Sequence, residues 1–293
     1  MEDNFQKINT ACIACGGRSF DFFTNKNNFN FYKCKNCFLI FVWPIPQHAV
    51  DLYSQDYFDG AKHGFGYVDY EEDKSAMTGT FNAYLERIER FIPKKGRILD
   101  VGAATGFFLR LALERGWGAS GIEISNYAAN IARQKGLNVI SGTLETTDFS
   151  LSIFDVITLW DVIEHLSDPK THLIAANKIL KKGGIIAINT PDAGSFAAKL
   201  LGKHWHLLVP PEHLVIFNQR NLSMLLKSCG FDVLWTGKVG KKFTLQYAFQ
   251  ILANKLKSRI FGRMTEFFKD NALGKINIPI NLRDNFLIIA KKS

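Results

Sequence analysis

The chain has 293 residues, 47% of them apolar, enough to bury one large core and a smaller accessory one. No uninterrupted apolar run reaches membrane-spanning length and Met1-Glu2-Asp3-Asn4 opens no charged-then-apolar leader, so a cytoplasmic location is expected. The formal charge of +9 favours anionic neighbours, but no aromatic–glycine RNA-binding signature accompanies it, so nucleic acid ranks below excess lysine on a solvated surface.

Four of the five cysteines lie near the start: Cys12-x2-Cys15, eighteen residues, then Cys34-x2-Cys37. This is four-thiolate zinc spacing, with Gly16 and Gly17 supplying a turn, and a closed site of this type is structural. Phe20–Phe23 and Asn30–Tyr32 read as antiparallel strands, giving a β ribbon over 1–45. Cys229, beside Gly230, reads as a buried helix end. A stiff exit at Trp43-Pro44-Ile45-Pro46 leads to a segment with Tyr53, Tyr57, Tyr67 and Tyr70, which suit either a pocket mouth or an interface. Residues 46–95 then form a linker and cap, with helical spacing from Phe81 to Phe91.

From residue 96 strands and helices alternate, the pattern of an α/β, doubly wound, Rossmann-like sheet. Its centre is Arg97-Ile98-Leu99-Asp100-Val101-Gly102-Ala103-Ala104-Thr105-Gly106-Phe107, a buried strand, a small-residue turn and a helix start. A dinucleotide fingerprint starting at Gly102 fails at Ala104 and Phe107. The strand Ala119–Ile124 carries Glu123, twenty-three residues after Asp100, where an acid can accept from ribose hydroxyls. Val139-Ile140 precedes Gly142-Thr143-Leu144, and Phe154–Trp160 runs into Asp161-Val162-Ile163-Glu164-His165-Leu166-Ser167-Asp168-Pro169. A helix is expected to stop at Gly183-Gly184 before a strand over Ile185–Asn189.

The D-x-G-x-x-x-G run from Asp100 to Gly106 resembles motif I of the class I S-adenosylmethionine (SAM) methyltransferases, with Ala104 at the usual middle glycine. The V-x-E-H-x-x-D-P run resembles motif IV and its continuation, and Asp284–Lys291 resembles the family's antiparallel last strand. The resemblance covers about 96–293, with insertions near 194–217 and 241–273, and implies a seven-stranded sheet and SAM as cofactor. It places the cofactor against Asp100, Gly102, Ala104, Gly106, Glu123, Ile124, Thr143, Leu144, Trp160 and Asp161.

Because SAM carries an activated methyl group, the protein's task is to align an acceptor and, for a hydroxyl, remove its proton. Glu164 and His165 follow the fourth strand and His213 closes a proline-braced loop, downstream of His204-Trp205-His206; these are the candidate catalytic groups. A divalent metal such as magnesium is the other option. An Asp161 helix start would put Glu164 and His165 on one face with His213 closing the site, an arrangement that resembles metal-dependent RNA 2′-O-methyltransferases and ubiquinone-pathway O-methyltransferases.

The expected acceptor is a sugar or small hydroxylated metabolite, sugar- and lipid-linked forms included; sugar C-methylation, nucleic-acid methylation and a non-catalytic binding module are the alternatives. The basic, aromatic-rich segment 241–271 suits either an anionic membrane surface or a packed helix in a homodimer.

Overall fold

A two-residue turn sets the first two strands of the computed structural model. β1 (Phe20–Lys26) and β2 (Phe29–Cys34) pair antiparallel around Asn27 and Asn28, whose φ values of +48° and +65° match the twist of a tight hairpin. The structure describes residues 8–46, 77–149, 151–238, 259–269 and 283–293, with short pieces between 242 and 279. The tyrosine segment around Tyr53–Tyr70 and most of 241–258 lie outside the described residues.

β3 (Ile40–Val42) pairs with β2 on one edge and with a distant strand on the other. After α1 (Thr78–Glu89), β4 (Arg97–Val101) leads through a glycine turn to α2 (Phe107–Glu114). β5 (Gly118–Glu123), α3 (Asn126–Gln134), β6 (Val139–Ser141) and β7 (Phe154–Trp160) follow. Next come α4 (Pro169–Ile179), β8 (Leu180–Pro191), α5 (Phe196–Leu201), β9 (Val215–Ile216), α6 (Gln219–Ser228) and β10 (Phe231–Gly237). β11 (Lys242–Thr244), α7 (Arg259–Lys269), β12 (Asn277–Pro279) and β13 (Asn285–Lys292) complete the described elements.

Seven strands make the central sheet, in the order β10-β13-β8-β7-β4-β5-β6, with β13 antiparallel to both of its neighbours. The helices start where their capping residues dictate. Ser125 accepts from the Ala128 amide, Asp168 accepts from Thr171 with Pro169 in the first turn, and Asn218 and Asn221 cap α6 reciprocally. One expected boundary moves. α4 ends at Ile179, not at the Gly183-Gly184 pair, because Leu180 is buried opposite Phe154 and already belongs to β8.

Phe81, Tyr84, Leu85 and Ile88 of α1 and Phe107, Phe108 and Leu111 of α2 share one core. Leu173 and Ala176 of α4 and Leu222, Leu225 and Leu226 of α6 belong to another, which runs on into the ribbon through Phe31, Leu39, Ile40 and Val42. Each such fully buried side chain contributes roughly 1.5–3 kcal/mol. Arg115 clamps Glu89 through two hydrogen bonds of 3.0 and 2.5 Å, tying α2's end to α1's. The ribbon does not close on itself: Ile40 and Phe41 pair with Ile216 and Val215, so its fourth strand comes from the 194–217 segment.

Candidate active site

The turn after β4 is built by residues that tolerate a left-handed backbone. Gly102 (φ +74°) packs so tightly that a Cβ there would sit 2.6 Å from Val162, while Gly106 (φ +85°) opens α2. Ala104 adopts φ +47°, the conformation a glycine would take more easily. Its backbone N–H donates to Glu123 Oε2 at 2.8 Å, and the Ser125 amide donates to Oε1 at 2.8 Å. Burial raises the Glu123 pKa, while the amides of Ser125, Ala104 and Ile124 oppose that rise. Asp100 is also buried and accepts from the Thr158 hydroxyl at 2.6 Å, bracing β4 against β7. Leu144 is buried in the core and Thr143 is half-buried beside it, with its amide donating to the Thr146 hydroxyl.

At the end of β7, Asp161 takes φ +54° and turns the chain sharply out of the sheet. The helix expected to begin there is therefore absent; Ile163–His165 forms a single 3-10 turn instead. Asp161 accepts from the Asn189 amide at 2.6 Å, and the Tyr84 hydroxyl donates to Asn189 Oδ1 at 3.0 Å. Tyr84 stacks on Trp160, with ring centroids 4.7 Å apart. Burial first, then the Asp161 charge, pushes the Tyr84 pKa well up, so it stays a donor.

Glu164, His165 and His213 come together all the same, with one ligand-type atom of each within 4.8 Å of the others. Glu164 Oε2 accepts from the Thr190 hydroxyl at 2.9 Å. Burial, with the neighbouring His213 second, pushes His165 down to about 3, so it is neutral at physiological pH. His213 Nδ1 lies 2.7 Å from the Leu207 carbonyl, which can only accept, so Nδ1 carries a proton and the Nε2 side of the ring faces away from that contact. Asp161, expected as a first metal ligand, is held by Asn189 outside this cluster. Two imidazoles and one carboxylate suit later first-row metals better than oxygen-seeking magnesium. The donor set does not fit magnesium, the divalent-metal option raised by the sequence.

Cys12, Cys15, Cys34 and Cys37 form a second cluster, again with their sulfurs within 4.8 Å of one another. Cys12 and Cys37 Sγ are 3.5 Å apart and Cys15 and Cys34 Sγ 3.6 Å, too far for disulfides. Zinc–sulfur bonds of about 2.3 Å in a tetrahedron imply sulfur separations near ~3.8 Å. The four residues fit a closed zinc site. The hydrogen bond from Cys37 holds the Cys12 thiol down to about 5, and the same contact pushes Cys37 up.

The family described as a methyltransferase domain matches residues 76–235, more than half of the chain. The chain belongs to that family. A ubiquinone biosynthesis O-methyltransferase of Paracidovorax citrulli is 24% identical over 177 residues, covering 55% of this methyltransferase and 74% of that protein. One from Idiomarina loihiensis is 33% identical over 129 residues, covering 41% and 49%. An uncharacterized protein of Methanocaldococcus jannaschii is 33% identical over 120 residues, covering 41% and 56%. The chain thus spans about half to three-quarters of the length of these relatives. Among solved structures, a SAM-dependent methyltransferase of Thermotoga maritima has a TM-score of 0.50 at 21% identity, covering 76% of this chain and 94% of that one. The YcgJ protein of Bacillus subtilis has 0.50 at 17%, covering 73% and 98%. At these identities the likeness concerns the fold alone.

The residues of both clusters were candidates from the sequence, and the structure brings each set together; Tyr84, Thr158, Asn189 and Thr190 were not. Tyr84 falls within the Phe81–Phe91 helical spacing, and the other three sit inside strands as ordinary polar residues. Their roles arise across the sheet, where register pairs Asp100 with Thr158 and Trp160 with Asn189.

Proposed function

We propose that this methyltransferase moves the methyl group of SAM to a hydroxyl of a sugar or another small hydroxylated metabolite, with His213 as the base. The observation that carries the reading is the His213 ring, held by its Nδ1 on the Leu207 carbonyl and grouped with Glu164 and His165. This cluster follows the C-terminal end of β7, the edge where open α/β sheets bind ligands. It is also adjacent to the cofactor loop, since Gly102 packs on Val162. When bound, SAM supplies a methyl group already activated as a sulfonium. Gly102, Ala104 and Gly106 would hold it through backbone, Glu123 would accept from its ribose hydroxyls, and the His213 imidazole would take the proton of the acceptor hydroxyl. The relatives' description as ubiquinone biosynthesis O-methyltransferases supports oxygen over nitrogen or carbon.

The test is His213→Ala assayed on a hydroxylated acceptor that the wild type turns over. Turnover is expected to fall by about 10²–10⁴-fold, the usual contribution of a general base, with SAM affinity unchanged. Full turnover would remove His213 from this role. The sulfur separations support structural zinc in the four-cysteine site. A lipid-linked acceptor is supported by α7, where Ile260 and Phe267 are 71% and 68% exposed on the same face as Arg263. Co-sedimentation with anionic vesicles, lost in Phe267→Glu, would support that acceptor; no wild-type co-sedimentation would exclude it.

A further inference from the structure

The segment that carries His213 is gripped from outside by the ribbon. The Lys26 ammonium donates to the Trp205 carbonyl at 3.2 Å and to the Leu208 carbonyl at 3.0 Å. The Asn27 side-chain amide donates to the Pro210 carbonyl at 3.2 Å. Between these acceptors lies Leu207, whose own carbonyl takes the His213 Nδ1 proton. The far end of the segment is held too. Val42 N donates to Leu214 O at 2.8 Å, β3 pairs with β9, and the Asn218 and Asn221 amides both reach the Cys37 carbonyl at 3.3 Å. Leu214 N in turn donates to the Glu164 carbonyl at 2.8 Å, joining the ribbon's edge to the cluster itself.

Backbone carbonyls point in fixed directions only when the peptides on either side are fixed. Three carbonyls within 205–210 are spent on the tip of the β1–β2 hairpin, and the fourth sets the histidine. Asn27 and Asn28 both take the left-handed conformation of a tight two-residue hairpin turn, which sets where the Lys26 and Asn27 side chains leave the tip. Desolvation by partial burial lowers the Lys26 pKa.

We propose that Lys26 and Asn27 are positioning residues for His213: the ribbon's hairpin fixes the Leu207 carbonyl, and through it the tautomer and ring orientation of the base. The proposal rests on the reading of His213 as base for its catalytic consequence, but not for its structural one. It assigns the N-terminal ribbon a part in the reaction without placing any ribbon residue in contact with substrate.

The test uses the full chain with ¹⁵N-labelled histidine, comparing wild type with a Lys26→Met, Asn27→Gly double variant. Glycine preserves the left-handed turn while removing the amide. In the wild type His213, assigned by its loss in His213→Ala, is a single Nδ1-protonated ring. In the double variant it averages between tautomers, and the Leu208 and His213 amides exchange with solvent at least about tenfold faster, while zinc stays at one per chain. Lys26→Arg, which keeps a cationic donor, restores the single tautomer. On an acceptor the wild type turns over, kcat falls by about tenfold or more with KM for SAM unchanged, as misplacement of a catalytic group would cause. A His213 tautomer unchanged in the double variant overturns the proposal, whatever happens to stability. Should the double variant fail to fold, Asn27→Gly alone is read by the same spectra. Full turnover in His213→Ala would defeat the base assignment, and the tautomer comparison would still decide whether the hairpin positions the ring.

Discussion

Ala104 stands where the methyltransferase pattern has its middle glycine, and whether its methyl group closes the cofactor pocket can be decided by substitution. The residue holds φ +47° and is buried, with its N–H bonded to Glu123. An L-residue in this region costs roughly 1–2 kcal/mol. Replacing it by glycine removes that cost but adds about 0.5–1 kcal/mol of backbone entropy to be lost on folding. Ala104→Gly is therefore expected to leave stability unchanged or raise it by up to about 1.5 kcal/mol, a rise of about 2–4 °C in Tm for each kcal/mol. Because the alanine already takes the glycine conformation and keeps its amide on Glu123, affinity for S-adenosylhomocysteine should change by less than about threefold, which is under ~0.7 kcal/mol. Ala104→Val should do the reverse, losing stability and binding together, since a β-branched side chain is poorly tolerated there. Thermal unfolding and calorimetric titration read both quantities. A tenfold gain in affinity for Ala104→Gly would show that the methyl group occludes the pocket and would refute the reasoning.

Glu123→Gln should weaken S-adenosylhomocysteine binding by at least tenfold, because a neutral amide loses charge-assisted hydrogen bonds and turns a donor toward the amides of Ala104 or Ser125; unchanged affinity would remove Glu123 from the ribose site. Burial raises the Glu123 pKa above its ordinary value, so the folded protein retains that proton to higher pH than the unfolded chain. Its contribution to stability is thus present below the unfolded pKa and lost as pH rises through the folded one, while affinity runs the other way. Titrations at decreasing pH should show affinity starting to fall before the ordinary carboxylate range is reached, and a profile that stays flat down into that range would contradict the assignment. Cys34→Ser should abolish stoichiometric zinc, measured by elemental analysis, and loosen the β3–β9 pairing; one zinc per chain in that variant would overturn the four-thiolate site.

The parts legible in the sequence are those whose physics is local. An apolar run, a small-residue turn and a helix start are adjacent between Ile98 and Phe107, and the two C-x2-C knuckles each form within a few residues. Glu123 was legible because the strand after α2 must end near the same edge of the sheet as Asp100. What stayed hidden depends on distant segments meeting. Val215-Ile216 is too short to show a strand period, yet it completes the ribbon's sheet. Lys26 and Asn27 look like solvated turn residues until 205–210 is laid across them. The Glu164–His165 pair was expected on a helical face, but the left-handed Asp161 replaced the helix with one tight turn and still delivered both side chains to His213.

The central claim is that the 102–106 turn and Glu123 form a working cofactor site, and calorimetric titration of the wild-type protein with S-adenosylhomocysteine tests it most directly. The account predicts one site per chain with a Kd of roughly micromolar order, equivalent to about −8 kcal/mol, and a matching rise in Tm. A folded protein that gives neither binding heat nor a thermal shift would contradict it.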